Sequence, residues 1–206
     1  MAHERVMHVP LPPENLLFEG KSYDLGWDGK RHLPRETESE SPALPSADFA
    51  IYLINAVKFH CGQLFHLFEE ESFMQHFSLF QASPEQASQR PNLWYIHYLL
   101  ILAFGKAFVG QGSRGRRPPG AELFVHAMRL LPDFAFYNAE PIESIQVLCC
   151  TALYLQCLDF RGAAYRIVCL TLDIISYLLI RTLDWASSAH GLGERHAYRN
   201  AEQKGG

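Results

Sequence analysis

No excess of one charge sign marks this chain of 206 residues: 18 Lys and Arg stand against 22 Asp and Glu, a formal net charge of −4. A protein that binds nucleic acid across its surface carries a strong basic bias, so any DNA contact is expected from a local patch or from another segment. The opening stretch MAHERVMHVPLPPENLLF lacks a basic start followed by an apolar core, and no secretory signal is expected from it. The five cysteines are odd in number and follow no framework spacing, which fits a reducing intracellular compartment. Uninterrupted apolar runs of the roughly 20 residues needed to span a bilayer are missing too. The stretch Ile167 to Ile180 is 14 residues long and carries Asp173, and LWYIHYLLILAFGKAFVG contains His97 and Lys106. Both are expected to be buried helices, and no membrane partner is expected.

Strand alternation is absent as well, and what remains is helical. Residues 1–44 mix proline with charged and Ser/Thr residues, a composition that cannot bury enough apolar surface to offset its chain entropy, so a disordered arm is expected there. Ser46 then stands as an N-cap, and Phe49, Tyr52, Leu53, Ala56, Val57 and His60 follow with helical spacing along one face. A second helix is expected over Glu70 to Phe80, with Phe73, Phe77 and Phe80 aligned, and a third from Asn92 to Val109, apolar on nearly all sides and therefore central. The loop GQGSRGRRPPG follows, with four glycines and two prolines. A fourth helix carries Phe124, Ala127, Met128 and Leu131 and stops at Pro132; a fifth begins at Pro141 and leaves between Asp159 and Gly162. The fold class is all-α, an irregular multi-helix bundle.

Three of the five cysteines fall within PIESIQVLCCTALYLQCLDFRGAAY. Cys149 and Cys150 are adjacent, so on a helix they point about 100° apart, and Cys157 lies two turns past Cys150; neighbouring helical cysteines cannot readily chelate one tetrahedral ion. Ile145, Leu148, Cys149, Ala152 and Leu153 form one apolar stripe, and Val147, Cys150, Tyr154, Cys157 and Leu158 a second. The cysteines are therefore expected to pack as small hydrophobes.

Gly110, Gly112 and Gly115 match G-x-G-x-x-G, but a dinucleotide fingerprint needs a strand before the glycines and a helix after them. A helix precedes them here and Arg-Arg-Pro-Pro follows, so the match is read as accidental. Arg114, Arg116 and Arg117 are expected to form a solvated basic loop, and Glu69, Glu70 and Glu71 the acidic first turn of the second helix. His60, Cys61 and His66 make only a weak metal constellation, and no H-E-x-x-H, G-x-S-x-G, Walker or kinase motif occurs. No catalytic, cofactor-binding or metal residue is assigned, and an enzyme is not expected.

The order of segments resembles a known family. LPSADFAIYLINAVKFHCGQLFHLFEEESFMQHF, LWYIHYLLILAFGKAF and above all GAELFVHAMRLLPDFAFYNAEPIESIQVLCCTALYLQCLDFRGAAYRIV are similar to the fungal-specific transcription factor domain. This domain is also called the xylanolytic transcriptional activator regulatory domain, or the middle homology region of fungal zinc-cluster transcription factors. The matching elements are Phe124, Ala127, Leu130, Leu131, Ile142, Glu143, Ser144, Ile145, Gln146, Leu148, Tyr154, Leu155, Gln156 and Tyr165. They lie within about Leu44 to Val168.

The resemblance implies a nuclear regulator of transcription whose helical domain regulates activity or receives an effector, without catalytic residues. It implies other transcription proteins or a small effector as partners, and DNA binding by a cysteine-held binuclear zinc cluster. No C-x-x-C series precedes Pro45, so that cluster is not built by this chain, and DNA contact is expected only through a missing segment or a partner.

The expected organisation is a disordered arm over 1–44, the N-terminal part of the regulatory domain over 45–168, and an aberrant or divergent helix and tail over 169–206. In this last segment VCLTLDIISYLLIRTLDWASS replaces the family's continuation, and a retained intron followed by frame-shifted residues is one origin for it. The alternative reading is a helical small-ligand carrier or enzyme of unknown reaction, with a pocket of Phe, Tyr and Cys and with Cys149 or His97 as its reactive group.

Overall fold

Helices start where side chains satisfy the first amide groups, which have no partner inside the helix. In a computed structural model of the protein, which describes residues 23–27, 42–83, 92–110, 116–132 and 140–180, the Ser46 hydroxyl accepts from the Phe49 amide at 3.4 Å and opens helix α1, Ala47–Cys61. Glu69 opens α2, Glu70–Ala82, by accepting from the amides of Glu71 at 3.1 Å and Ser72 at 2.7 Å. Asn92 opens α3, Leu93–Val109, by accepting from Tyr95 at 2.9 Å. Gly120 precedes α4, Ala121–Leu130; Pro141 begins α5, Pro141–Cys157; and α6 runs Arg161–Ile180. These six helices account for 74% of the described residues, and no strand occurs among them, so the protein is all-α.

Helix α3 is the centre. Its residues Leu93 to Gly105 are buried without interruption, and α1, α4 and α5 pack along it. Two glycines set how closely. A Cβ at Gly105 would lie 2.6 Å from the Leu53 Cβ and 2.8 Å from the Leu53 carbonyl oxygen, so α1 crosses α3 nearly backbone to backbone. Gly120 has φ +83, a left-handed conformation that glycine adopts without steric cost, and a Cβ there would meet the Ala103 oxygen at 2.5 Å. Helix α2 covers another side of α3 through rings: Phe73 to Trp94 at 5.7 Å, Phe77 to Tyr98 at 5.7 Å and Phe80 to Tyr98 at 5.4 Å. Phe124 of α4 stacks on Tyr154 of α5 at 4.3 Å, and Phe104 of α3 meets the same tyrosine edge-on at 5.2 Å. Lys106 donates to Glu122 at 2.8 Å and ties α3 to α4.

The helix starts agree closely with the sequence, whereas two buried faces do not. In α1 the core takes Ala50, Leu53, Ile54, Val57 and Cys61, while Phe49 and Tyr52 are exposed. The helix carries two overlapping apolar stripes, and the close crossing at Gly105 selects the one centred on Leu53. Helix α6 is not the buried helix expected over Ile167 to Ile180. Ala164, Thr171 and Ile174 are buried, but Val168, Leu172, Tyr177 and Ile180 are 44%, 55%, 48% and 60% exposed. This helix is long and apolar enough to cross a membrane by length and composition, with a mean hydropathy of 1.7 over a window that is only 17% buried. It passes position 168 without a break.

Part of the expected arm is also ordered on the core. Leu25 is fully buried and Trp27 nearly so, and the Asp24 amide donates to the Arg116 carbonyl at 2.9 Å. The rest of residues 1–41 lies outside the described residues.

Among the described residues, the buried polar atoms Trp94 Nε1, Tyr98 Oη and Tyr154 Oη have no hydrogen-bond partner. A buried hydroxyl left unmatched loses its water bonds without replacement. Tyr98→Phe keeps the ring contacts and removes that loss. It is expected to raise the unfolding free energy by about 1 kcal/mol in urea denaturation, with the m-value unchanged.

Candidate functional site

Cys150 and His97, 53 positions apart in sequence, meet in the interior between α5 and α3. The sulfur lies 3.5 Å from His97 Nε2 and 4.0 Å from the Leu67 carbonyl oxygen, to which the imidazole also donates. Phe73 faces the imidazole edge-on at 5.5 Å and Phe68 at 6.5 Å. Burial holds the imidazole pKa down to about 4 and pushes the Cys150 thiol far above its ordinary value. At neutral pH both groups are uncharged. A nucleophilic cysteine needs thiolate character and access, and Cys150 has neither. The pair is a packed hydrogen bond, and this shared interior position had no signal in either local sequence.

The other two clustered cysteines depart from the packing expectation. Cys149 is exposed because α5 buries the arc from Val147 through Cys150 to Leu155 and turns the remaining arc outward, and Cys157, on nearly the same side as Cys150, is exposed as the last residue of the helix. No group of three His, Cys, Asp or Glu among the described residues can hold a metal. His60 and His66 are exposed while Cys61 is buried, and His60 stacks on Phe108 at 4.8 Å. Glu69 is the cap of α2 and not part of its first turn, and Glu70 pairs with Lys58, so the three glutamates do not converge. Gly110 closes α3 as its C-cap, in a helical context and not after a strand. Arg116 and Arg117 are exposed, whereas Gly112, Arg114 and Gly115 lie outside the described residues. Burial, reinforced by a hydrogen bond that the protonated Glu143 carboxyl donates to Glu140, raises the Glu143 carboxyl to about 7.

Two concavities stand out among the described residues. One, of about 410 Å³, sits at the turn from α1 to α2 and is lined by Val57, Cys61, Phe65, Leu67 and Phe68, with Lys58 and Glu70 at its edge. The second, of about 550 Å³, is a more open groove between α1 and the end of α3, with Tyr52, Phe59, His60 and Phe108 along it. The first has the size and apolar lining of a small-ligand site.

No family model, curated protein or solved structure matches the chain. The functional reading therefore rests on the residues. Those that carry the family resemblance divide by position. Phe124, Ala127, Leu131, Ser144, Leu148, Tyr154 and Leu155 are buried, while Ile142, Gln156 and Tyr165 are exposed.

The cysteine environments predict an ordered pattern of labelling. Native protein treated with iodoacetamide is expected to modify Cys149 and Cys157 and to spare Cys150 until the chain unfolds, as read by peptide mass spectrometry.

The His97 environment predicts a pH dependence with a definite sign. The unfolded chain takes up a proton below pH 6.5, which the folded imidazole refuses until about pH 4. Stability is therefore lost as pH falls through that window, by about 3 kcal/mol in all at 1.36 kcal/mol per pH unit. Glu143 works in the opposite direction, because its folded-state pKa is raised and its contribution grows as pH falls. The difference between wild type and His97→Gln isolates the imidazole, and His97→Gln is expected to lose much less stability between pH 7 and 4.5 in urea titrations.

Proposed function

We propose that the chain is part of a helical regulatory domain of a fungal transcription factor, acting through protein or effector contacts. The observation that carries this reading is the Phe104, Phe124 and Tyr154 ring cluster. Phe124 and Tyr154 both belong to the segment with the strongest family resemblance, and they stack on each other across α4 and α5, so its similar motifs are partners in one core. The buried polar groups also fit a domain without chemistry of its own, since His97 and Cys150 are neutral and sealed. DNA and zinc binding belong, in this proposal, to a cysteine-rich segment elsewhere, and the site of action is the nucleus. A second reading, a helical carrier of a small apolar ligand, is favoured by the cleft of about 410 Å³ between α1 and α2. Within the first reading the same cleft is the place for an effector.

Fusing the chain to a heterologous zinc-cluster DNA-binding module tests the proposal directly. A reporter carrying that module's site is expected to change severalfold in transcription relative to the module alone. Phe124→Ala, which removes a buried ring at a cost of about 3–5 kcal/mol, is expected to abolish the change. A reporter indifferent to the fused chain overturns the regulatory reading.

A further inference from the structure

Helix α6 carries a second apolar stripe, turned away from the core. Tyr165, Cys169, Leu172 and Ser176 follow at intervals of four, three and four residues, the 3.5-residue repeat that lines up one side of a helix for pairing with another helix. Large and small residues alternate along it. Tyr165 is 50% exposed and Leu172 55%, with Val168 on one flank and Arg166 and Asp173 on the other. Neither Arg166 nor Asp173 has an ion-pair partner among the described residues.

We propose that this stripe is a self-association surface, on which α6 of a second copy of the chain packs antiparallel. The pattern selects both the occupant and its direction. With Cys169 opposite Leu172 of the second copy and Tyr165 opposite its Ser176, every layer sets a small side chain against a large one. Arg166 then falls about two residues, or ~3 Å along the axis, from Asp173 of the second copy, and the twofold repeats the pair on the other side. A parallel arrangement in register sets each stripe residue against its own copy and forfeits that size match. The exposed apolar side chains offer on the order of 500 Å² per copy, or about 1,000 Å² for the pair, the lower bound of a specific interface.

A bilayer fits the same helix less well. Asp173 stands in its interior, where a charge costs about 2.5–3.5 kcal/mol on insertion scales. Ala164, Thr171 and Ile174 hold the opposite side in the protein core. The inference is independent of the transcriptional reading, since it concerns α6 alone.

Sedimentation of the full chain over a concentration series tests it. Wild type is expected to show a monomer–dimer equilibrium. Arg166→Asp and Asp173→Arg, each setting like charges together at both symmetry-related places, are expected to raise the dissociation constant about tenfold. The double reversal is expected to restore it. Leu172→Asp is expected to leave only monomer, with circular dichroism confirming the helical content. A monomer at every concentration, single reversals without effect or a double reversal that fails to rescue would overturn the antiparallel pairing. So would flotation of monomeric wild type with phosphatidylcholine and phosphatidylserine vesicles, an outcome that assigns α6 to lipid.

Discussion

The distance between α3 and its neighbours governs the rest of the structure. At Gly105 and at Gly120 the spacing is too small for a side chain, so α1 and the start of α4 rest on the backbone of α3. Contact at that range leaves no room for water along the central helix. Thirteen consecutive residues become buried whatever their chemistry, His97 among them. A helix sealed all round can still accommodate polar atoms where a partner comes with the packing. His97 finds Cys150 and the Leu67 carbonyl, whereas the hydroxyls of Tyr98 and Tyr154 find no partner among the described residues. The aromatic rings of α2 and the Phe124–Tyr154 stack then fill the sides that the glycines leave open. Rings suit this task because tilted and offset contacts stay favourable over a range of angles.

The same packing fixes the electrostatic character of the interior. Desolvation favours the neutral form of each group it encloses, driving the imidazole pKa down and those of the thiol and the phenols up. At physiological pH the buried His97 imidazole and Cys150 thiol are therefore both neutral. The charged groups sit at the helix ends and edges, where Glu69 caps α2, Lys58 pairs with Glu70 and Lys106 with Glu122. Such contacts set element boundaries and connections, and the protein's dealings with other molecules are left to its clefts and exposed faces.

Local signals in the sequence located the helices. Ser46 and Asn92 read as caps, Pro141 as a first turn, and the three-residue and four-residue steps of Phe73, Phe77 and Phe80 as a buried side, because each depends on atoms a few residues away. What could not be read depended on partners far along the chain. The choice between the two stripes of α1 is made by Gly105, a residue more than forty positions later. The meeting of Cys150 with His97 spans two helices. Leu25 and Trp27 enter the core from a stretch whose average composition is polar, so a rule based on averages assigns them to solvent. Counting cysteines within α5 likewise missed that one arc of that helix turns Cys149 outward and that Cys157 sits at its exposed end. The candidate cleft at the α1–α2 turn is lined by neighbours in sequence, yet its depth comes from the fold of the turn and had no motif to announce it.

Helix α6 shows why apolar content does not report burial. Its inner side reaches the core through Ala164, Thr171 and Ile174, with Ile167, Leu170 and Leu178 half-buried against it. The outer side carries large apolar side chains too, Tyr165, Leu172 and Tyr177 among them. A lone globular chain gains nothing from that exposed side, since exposed Leu, Ile and Tyr lose the transfer free energy that burial provides, about 25 cal/mol per Å². A helix with large apolar residues on both sides is stabilised further by whatever covers the outer one. Whatever occupies the outer stripe therefore also bears on the end of α5 through the tight Asp159 turn, where φ is +65 and Phe160 bonds back to Leu155. In this way the surface that lacks a partner within the chain is joined by one short connection to the helix that holds Cys150 and Tyr154 in the core.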